Sequence, residues 1–252
     1  MAIVMLAAAA ASGCKGGLLG KQYEYEEDLY LAIDGSATLI VNASIPALVA
    51  LRGLDIDQSP GARLDLKKIR SAYESPVVEV TRVSPPWRRA SRRFVQIRMK
   101  VPDVRKLNTA APLSWSQYAF SEQNGRHVYE QRVGASALRA GTLLNVGWNG
   151  TETVAFRLHL PSRILWHNSR DLQTNEPTST ARGNILSWEQ HLADRLDGVP
   201  VNIKVEMDSQ SILHRTLWLF AGAFLAAVAL LAGVIWLAMR RGAADVATTS
   251  GP

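Results

Sequence analysis

Residues 29–45 read LYLAIDGSATLIVNASI. Apolar residues occupy alternate positions up to Asp34-Gly35, a dipeptide that favours the tight turn between two antiparallel strands. The alternation resumes at Ala37 and continues to Ile45, and a period of two residues is typical of strands with one buried face. This stretch therefore predicts a β-hairpin, and with it a domain built on an antiparallel sheet.

The same period of two recurs along much of the chain. It predicts further strands at residues 77–83, 95–101, 115–120, 127–133, 154–160, 185–190 and 201–207. A second hairpin turn is predicted at Asn124-Gly125. Short helices are predicted at residues 46–51, 64–73 and 104–107. We expect residues 23–210 to form one α+β domain, a large curved antiparallel sheet with two or three helices on one face, and an apolar hollow between sheet and helices.

A long apolar segment, residues 217–239, contains no charged side chain and no proline. As a helix it is about 34 Å long, which is enough to cross a hydrocarbon core of about 30 Å. Tryptophans lie near both ends, where indole rings favour the headgroup layer, and two arginines follow directly. The segment is therefore predicted to be a single transmembrane helix. The excess of positive charge after it predicts that the short tail, residues 240–252, is cytoplasmic and that the domain is extracytoplasmic.

Small residues recur within this segment at spacings of four, three and four. They are Gly222, Ala226, Ala229 and Gly233. These positions share one helical face, and small residues on such a face let a second membrane helix approach closely. The face is a candidate site for a transmembrane helix partner, although an alanine-rich segment also produces such a stripe by chance.

The chain opens with the apolar run MAIVMLAAAA and then the sequence ASGC at residues 11–14. Small residues suit the narrow subsites of a signal peptidase. The ASGC sequence resembles the bacterial lipobox, in which the cysteine is joined to diacylglycerol and becomes the new N-terminus. We predict a lipoprotein signal peptide at residues 1–13, a lipid on Cys14 and a tether at residues 14–22. The alternative is an ordinary signal without lipid.

Charge and cysteine content limit the classes of partner. Cys14 is the only cysteine, so no intrachain disulfide can form. Residues 15–214 contain 25 Lys and Arg against 21 Asp and Glu. A mildly basic domain suits nucleic acid or an anionic surface. Because the predicted topology puts the domain outside the cytoplasm, we exclude nucleic acid and expect the membrane, with a lipid ligand, as partner.

The sequence PPWRRASRR at residues 85–93 lies between two predicted strands and is expected to be an exposed loop. Its candidate contacts with anionic lipid are Trp87, Arg88, Arg89, Arg92 and Arg93. Tryptophan can sit among headgroups, and each guanidinium can hold a phosphate through two hydrogen bonds. Both linkers to the anchors are short, so we expect the loop to face the bilayer. The alternative is that its arginines pair with the acidic stretch at residues 23–28.

No group of residues forms a recognisable catalytic or metal site. The five histidines include no pair at the i, i+4 spacing of a helical metal site, and the single cysteine is assigned to the lipid. The chain has no G-x-S-x-G sequence, and no nucleophile with a partner base can be assigned. We therefore expect no enzymatic activity, no cofactor and no metal.

The order of these parts resembles that of the LppM-domain lipoproteins of bacterial envelopes. The resemblance covers nearly the whole chain and rests on the lipobox cysteine, the final helix with its arginines, and on Asp34-Gly35, Leu160-Pro161, Asn168 and Trp188. That family's domain is regarded as a lipid-binding fold with a sheet wrapped around a helix. The resemblance implies ligand binding but identifies no binding residue in this sequence.

Two functions remain open on the sequence. The first is a membrane-tethered extracytoplasmic module, at the plasma membrane of a bacterium, that binds a lipid or amphiphilic envelope component. The second is a structural or interaction protein that supports another envelope complex. A solvent-accessible apolar hollow would favour the first function, whereas a filled core with an exposed apolar patch would favour the second.

Overall fold

The computed structural model describes residues 23–89, 91–138, 146–178 and 184–249, without the side chains of residues 211–215 and 239–249. The strands are β1 (Tyr23–Leu31), β2 (Ala37–Ser44), β3 (Glu79–Val83), β4 (Trp87–Arg89), β5 (Arg92–Val101), β6 (Ser116–Gln123), β7 (Arg126–Val133), β8 (Thr153–His159), β9 (Ser162–His167), β10 (Ile185–His191) and β11 (Val201–Ser211). The helices are α1 (Ile45–Arg52), α2 (Leu66–Tyr73), α3 (Leu192–Leu196) and α4 (Ile212–Thr249). Two 3₁₀ helices are Val104–Thr109 and Ala111–Leu113.

Seven of these strands form a large sheet in the order β10-β8-β1-β2-β5-β3, with β4 also paired to β5. Neighbouring strands are antiparallel except for β1 and β8, which run parallel. The predicted α+β class, with a large and mainly antiparallel sheet followed by an apolar helix, is confirmed. The hairpin predicted at Asp34-Gly35 joins β1 to β2, and Gly35 has the positive φ of 86° that the turn requires.

The remaining four strands form a small antiparallel sheet in the order β6-β7-β11-β9. The turn predicted at Asn124-Gly125 joins its first two strands. The sequence pattern did not separate this sheet from the large one, because a period of two gives the faces of a strand but not its neighbours.

Local rules explain the short helices. The Ser44 hydroxyl caps α1 by accepting a hydrogen bond from the amide of Ala47 at 3.2 Å, and Gly53 ends the helix with a left-handed φ of 69°. The Asp65 carboxylate caps α2 through the amides of Lys67 and Lys68. Both helices begin within two residues of the predicted positions.

The core lies on one face of the large sheet. Glu27, on that face of β1, contacts both Arg52 of α1 and Gln131 of β7, so helix and small sheet cover the same face. The predicted placement of helices on one face is confirmed. The apolar hollow predicted between sheet and helices is nearly filled by large buried side chains. Two cavities between the large sheet and its cover, one beside Arg52 and one beside Gln131, measure about 10 Å³ each.

Helix α4 is long and apolar enough to cross a membrane. Its segment Thr216–Ala238 has a mean hydropathy of 2.4. The most apolar 18 residues of this segment are not buried against the rest of the chain. The helix begins at Ile212, directly after β11, and continues to Thr249, so most of the predicted tail at residues 240–252 is helical. Alanines in that tail favour continuation of an existing helix.

Candidate functional site

Residues 87–93, expected to be a loop, form a β-hairpin. Trp87 pairs with Phe94 and Arg89 with Arg92, which leaves two residues for the turn. The second of them, Ser91, has a φ of 63°, in the left-handed region that favours glycine or asparagine. The Trp87 ring stacks on the buried Phe94 ring with centroids 6.0 Å apart, and this contact packs β4 against β5.

Like charges face each other across this hairpin. Arg88 lies directly opposite Arg93, and Arg89 lies directly opposite Arg92. Like charges at opposed positions of an antiparallel pair destabilise it by roughly 0.2–1 kcal/mol. Partners that neutralise the guanidinium groups, from the protein or from a ligand, would therefore stabilise the hairpin.

Arg92 has its partners within the protein. Its Nε donates to the fully buried Glu24 carboxylate at 2.8 Å, and its Nη2 lies 3.7 Å from Glu152. Its Nη1 donates to the Gly147 carbonyl at 3.2 Å. Two possible partners were predicted for the arginines, anionic lipid or the acidic stretch at residues 23–28. Arg92 contacts the acidic stretch. Arg92 holds the hairpin against the start of β1 and the residues that precede β8.

Arg93 is bound mainly to backbone carbonyl groups. Its guanidinium donates to the carbonyl of Ser59 at 2.7 Å, to that of Asp57 at 3.3 Å and to that of Ala62. Arg88 donates to the Pro60 carbonyl at 3.4 Å. Within the described part of the chain, neither Arg88 nor Arg93 forms an ion pair with a carboxylate.

The carboxylate of Asp57 lies near Arg93 but accepts a hydrogen bond from the amide of Ser59 within its own turn. Hydrogen bonds from Ser59 lower the pKa of Asp57, and the charge of Arg93 makes a smaller contribution. Carbonyl groups offset a positive charge less well than a carboxylate does, so these contacts leave much of the charge of Arg88 and Arg93 uncompensated.

A cavity of about 340 Å³ lies beside the hairpin. Its walls are formed by Ile45, Pro46, Gln58, Ser59, Pro60, Arg88, Ser91, Arg92, Arg93 and Val146. Ile45 and Pro46 are the first residues of α1, whose dipole adds a positive potential at this end. The cavity thus combines guanidinium groups with an apolar wall, which suits an anionic group attached to an apolar chain.

This cavity and the start of α4 lie at opposite ends of β8. Tyr23, at the cavity end, pairs with Thr153, the first residue of β8. Ser162, just after the end of β8, pairs with Ser211, the residue before α4. At about 3.3 Å per residue, β8 separates these ends by about 20 Å.

The expectation that the hairpin faces the bilayer rested on both linkers being short. Because α4 leaves from the far end of the large sheet, its position gives no reason to place the hairpin at headgroup level. Tyr23, the first described residue, lies next to the hairpin, because the neighbouring Glu24 binds Arg92.

A second polar group, the buried Glu27 cluster, lies in the core and consists of Tyr25, Glu27, Arg52, Tyr129 and Gln131. The Glu27 carboxylate accepts from Arg52 at 2.6 Å, from the Tyr25 hydroxyl at 2.8 Å and from Gln131 at 3.1 Å. Burial raises the pKa of Tyr25 well above its ordinary value, so the hydroxyl stays a donor. The cluster is closed to solvent and joins α1 to both sheets, which indicates a structural role.

The other predicted residues lie as follows. Cys14 is outside the described residues. Gly222 and Gly233 of the candidate helix face have no atom within 4 Å of the position that a Cβ would occupy, so the described chain does not cover the face there. Among the described residues, no group of three or more His, Cys, Asp or Glu could hold a metal ion.

Comparisons with known proteins give one distant structural neighbour. Neither a protein-family model nor a curated protein matches the chain. The NMR structure of the folded domain of LppM from Mycobacterium tuberculosis aligns over 78% of this chain and 95% of that chain, with 11% sequence identity and a TM-score of 0.41. That score is too low to carry a functional property from one protein to the other.

Proposed function

We propose that the protein is a membrane-tethered extracytoplasmic module that binds an anionic amphiphile in the cavity beside the β4–β5 hairpin. The acidic head is held by Arg88 and Arg93, and the chain lies against Ile45 and Pro60. One observation carries the proposal: two opposed guanidinium groups without a carboxylate partner in the described chain border a cavity of about 340 Å³ with an apolar wall.

The chemistry of the cavity selects the class of ligand. A phosphate or carboxylate between Arg88 and Arg93 would accept charge-assisted hydrogen bonds and remove the repulsion across the hairpin. The apolar wall favours an amphiphile over an inorganic ion. Ligand pockets span roughly 300–1,000 Å³, and this one is at the small end. It fits a head group with the first part of an acyl chain.

The anchors proposed for the module are α4 and a lipid on Cys14. With α4 across the plasma membrane of a bacterium and its C-terminus in the cytoplasm, the domain lies outside. A tether of residues 14–22 spans about 30 Å at full extension. The cavity then lies about 20 Å from the start of α4, at the other end of β8. There Trp87, Arg89 and Arg92 are further candidates for contact with the anionic ligand.

A second candidate function is support of another envelope complex. The uncovered surface at Gly222 and Gly233 favours it, because a partner helix could pack closely there. This function needs no ligand in the cavity. Neither candidate function includes enzymatic activity.

Mass spectrometry of the full-length protein, extracted from its own membrane in mild detergent, tests the proposal. We expect an acidic amphiphile to copurify with the wild type and to be depleted in Arg88→Ser. Arg98→Ser is the matched control, since Arg98 is an exposed arginine of β5 that does not line the cavity. Equal recovery from all three proteins, or recovery of no amphiphile from any of them, would contradict the proposal.

A further inference from the structure

The start of α4 fixes one end of the domain close to the membrane. Ser211 pairs with Ser162 of β9, and α4 begins at the next residue, Ile212. The apolar segment begins at Thr216, and four helical residues rise about 6 Å. The polar layers of a bilayer add roughly 10–15 Å in total to the hydrocarbon core. If α4 crosses a membrane, as the proposed function requires, Ser162 therefore lies at the depth of the headgroups.

Exposed apolar side chains concentrate at this end. Outside α4, six large apolar side chains in the described chain are more than one-third exposed: Tyr30, Trp87, Leu165, Trp166, Ile185 and Val199. Four of the six, Tyr30, Leu165, Trp166 and Ile185, belong to the strand segments around Ser162. A soluble surface would expose such residues singly rather than at one end.

Two of these residues lie in one row across the large sheet. Tyr30 is paired with His159, and His159 is paired with Ile185. The rings of Tyr30 and His159 stack with centroids 3.8 Å apart. Ser162 follows shortly after His159, so this row borders the start of α4.

The other two belong to β9, an edge strand of the small sheet. Among the described strands β9 is paired only with β11, and its register is irregular on both sides of Met207. Leu165 is 37% exposed and Trp166 is 48% exposed, and the neighbouring Arg163 is exposed. Tryptophan and arginine beside aliphatic residues are typical of the membrane interface, where the ring and the guanidinium stay at headgroup level.

We propose that Tyr30, Arg163, Leu165, Trp166 and Ile185 form a membrane-docking surface that lies in the headgroup layer of the bilayer crossed by α4. Tyr30 and Ile185 lie on the outer face of the large sheet and Trp166 on the outer face of the small sheet, on strands that meet near the base of that helix. Their aromatic, aliphatic and cationic side chains match this environment. Docking fixes the orientation of the domain and holds the cavity at the far end of β8.

The test uses the full-length chain in vesicles of phosphatidylcholine and phosphatidylglycerol, with Cys14→Ser to remove the native thiol. Single cysteines at Leu165, Ile185, Val199 and Leu230 each carry a nitroxide label. Collision rates with oxygen, which concentrates in lipid, and with a water-soluble nickel complex are measured. Near-ultraviolet circular dichroism checks that each variant is folded.

We expect labels at Leu165 and Ile185 to lose collisions with nickel and gain collisions with oxygen, relative to the label at Val199. Leu230, in the middle of α4, reports on the membrane span itself. If the Leu230 label is not in lipid, the span and the docking surface both fail. If Leu230 is in lipid but Leu165 and Ile185 behave like Val199, only the docking surface is wrong. Protection of both labels from both reagents would indicate a protein contact and would also overturn the proposal.

Discussion

Arg88 lies directly opposite Arg93 across the β4–β5 hairpin, and within the described chain both are bound to carbonyl groups rather than to carboxylates. The neighbouring Arg92 differs because Glu24 and Glu152 lie beside it. One end of the hairpin is thus neutralised by the protein, and the Arg88–Arg93 pair keeps a positive charge at the cavity. Function is the simplest reason to retain a pair that opposes folding.

The turn of this hairpin should be stabilised by glycine. Ser91 has a φ of 63°, where a Cβ costs about 1–2 kcal/mol, so Ser91→Gly should raise the free energy of unfolding by up to about 1 kcal/mol after the entropy cost of glycine. Thermal unfolding of the full-length protein in detergent measures it. Ser71→Gly, inside α2, should instead lower stability by roughly 0.5 kcal/mol. A loss of stability in Ser91→Gly would show that the turn is not the one described.

Two glycines should respond in opposite ways to an added methyl group. A Cβ at Gly134 would lie 2.7 Å from the backbone carbonyl oxygen of Trp115, which cannot move away cheaply. Gly134→Ala should therefore destabilise the protein by roughly 1–3 kcal/mol. Gly61 has no atom within 4 Å of the same position, and Gly61→Ala should be neutral or slightly stabilising. Equal melting temperatures for the two variants would contradict the packing around Gly134.

Alkaline pH should unfold the domain cooperatively through its buried tyrosines. Burial raises the pKa values of Tyr25, Tyr73, Tyr118 and Tyr129 above their ordinary value. Because the unfolded chain loses these protons first, the stability they provide is complete below about pH 10 and is lost as the pH rises further. Absorbance at 295 nm should show most tyrosinate appearing together with unfolding. Gradual ionisation of all six tyrosines in a folded protein would contradict this prediction.

The lipid predicted on Cys14 can be tested directly. Growth with a labelled fatty acid should label the wild type and leave Cys14→Ala unlabelled. The variant should still fractionate with membranes, because α4 remains. Equal labelling of both proteins would rule out the lipid at this position.

Local patterns in the sequence were sufficient to predict much of the fold. Alternation around Asp34-Gly35 and Asn124-Gly125 predicted two hairpins, and the short helix predicted at residues 46–51 corresponds to α1. These features depend on neighbours in the chain, so one sequence contains the necessary information. The parallel pairing of β1 with β8, and the division into two sheets, depend on contacts between distant segments and were not predictable from a period of two.

The candidate site was only partly predictable. The arginines of residues 87–93 were recognised, but their separation into Arg92, neutralised by Glu24, and Arg93, bound to carbonyl groups, depends on contacts between distant segments. Glu27 was read only as part of the acidic stretch at residues 23–28, although the period of two places it in phase with Tyr25 and Leu29, on the buried face. That phase was the available signal for the buried Glu27 cluster.

The central claim concerns the cavity, and a titration tests it most directly. The full-length protein in phosphatidylcholine nanodiscs is titrated with water-soluble dihexanoyl phosphatidic acid at low salt, with the choline ester of the same chain length as control. Calorimetry is performed on the wild type, Arg88→Ser and Arg98→Ser. The acid should bind more tightly than the choline ester, and added salt should weaken binding.

The account predicts that Arg88→Ser loses roughly tenfold or more in affinity for the phosphatidic acid, the value of one hydrogen bond to a charged group, while Arg98→Ser binds like the wild type. The same affinity in Arg88→Ser and the wild type, or no binding by the wild type at low salt, would contradict the proposal that this cavity holds an anionic amphiphile.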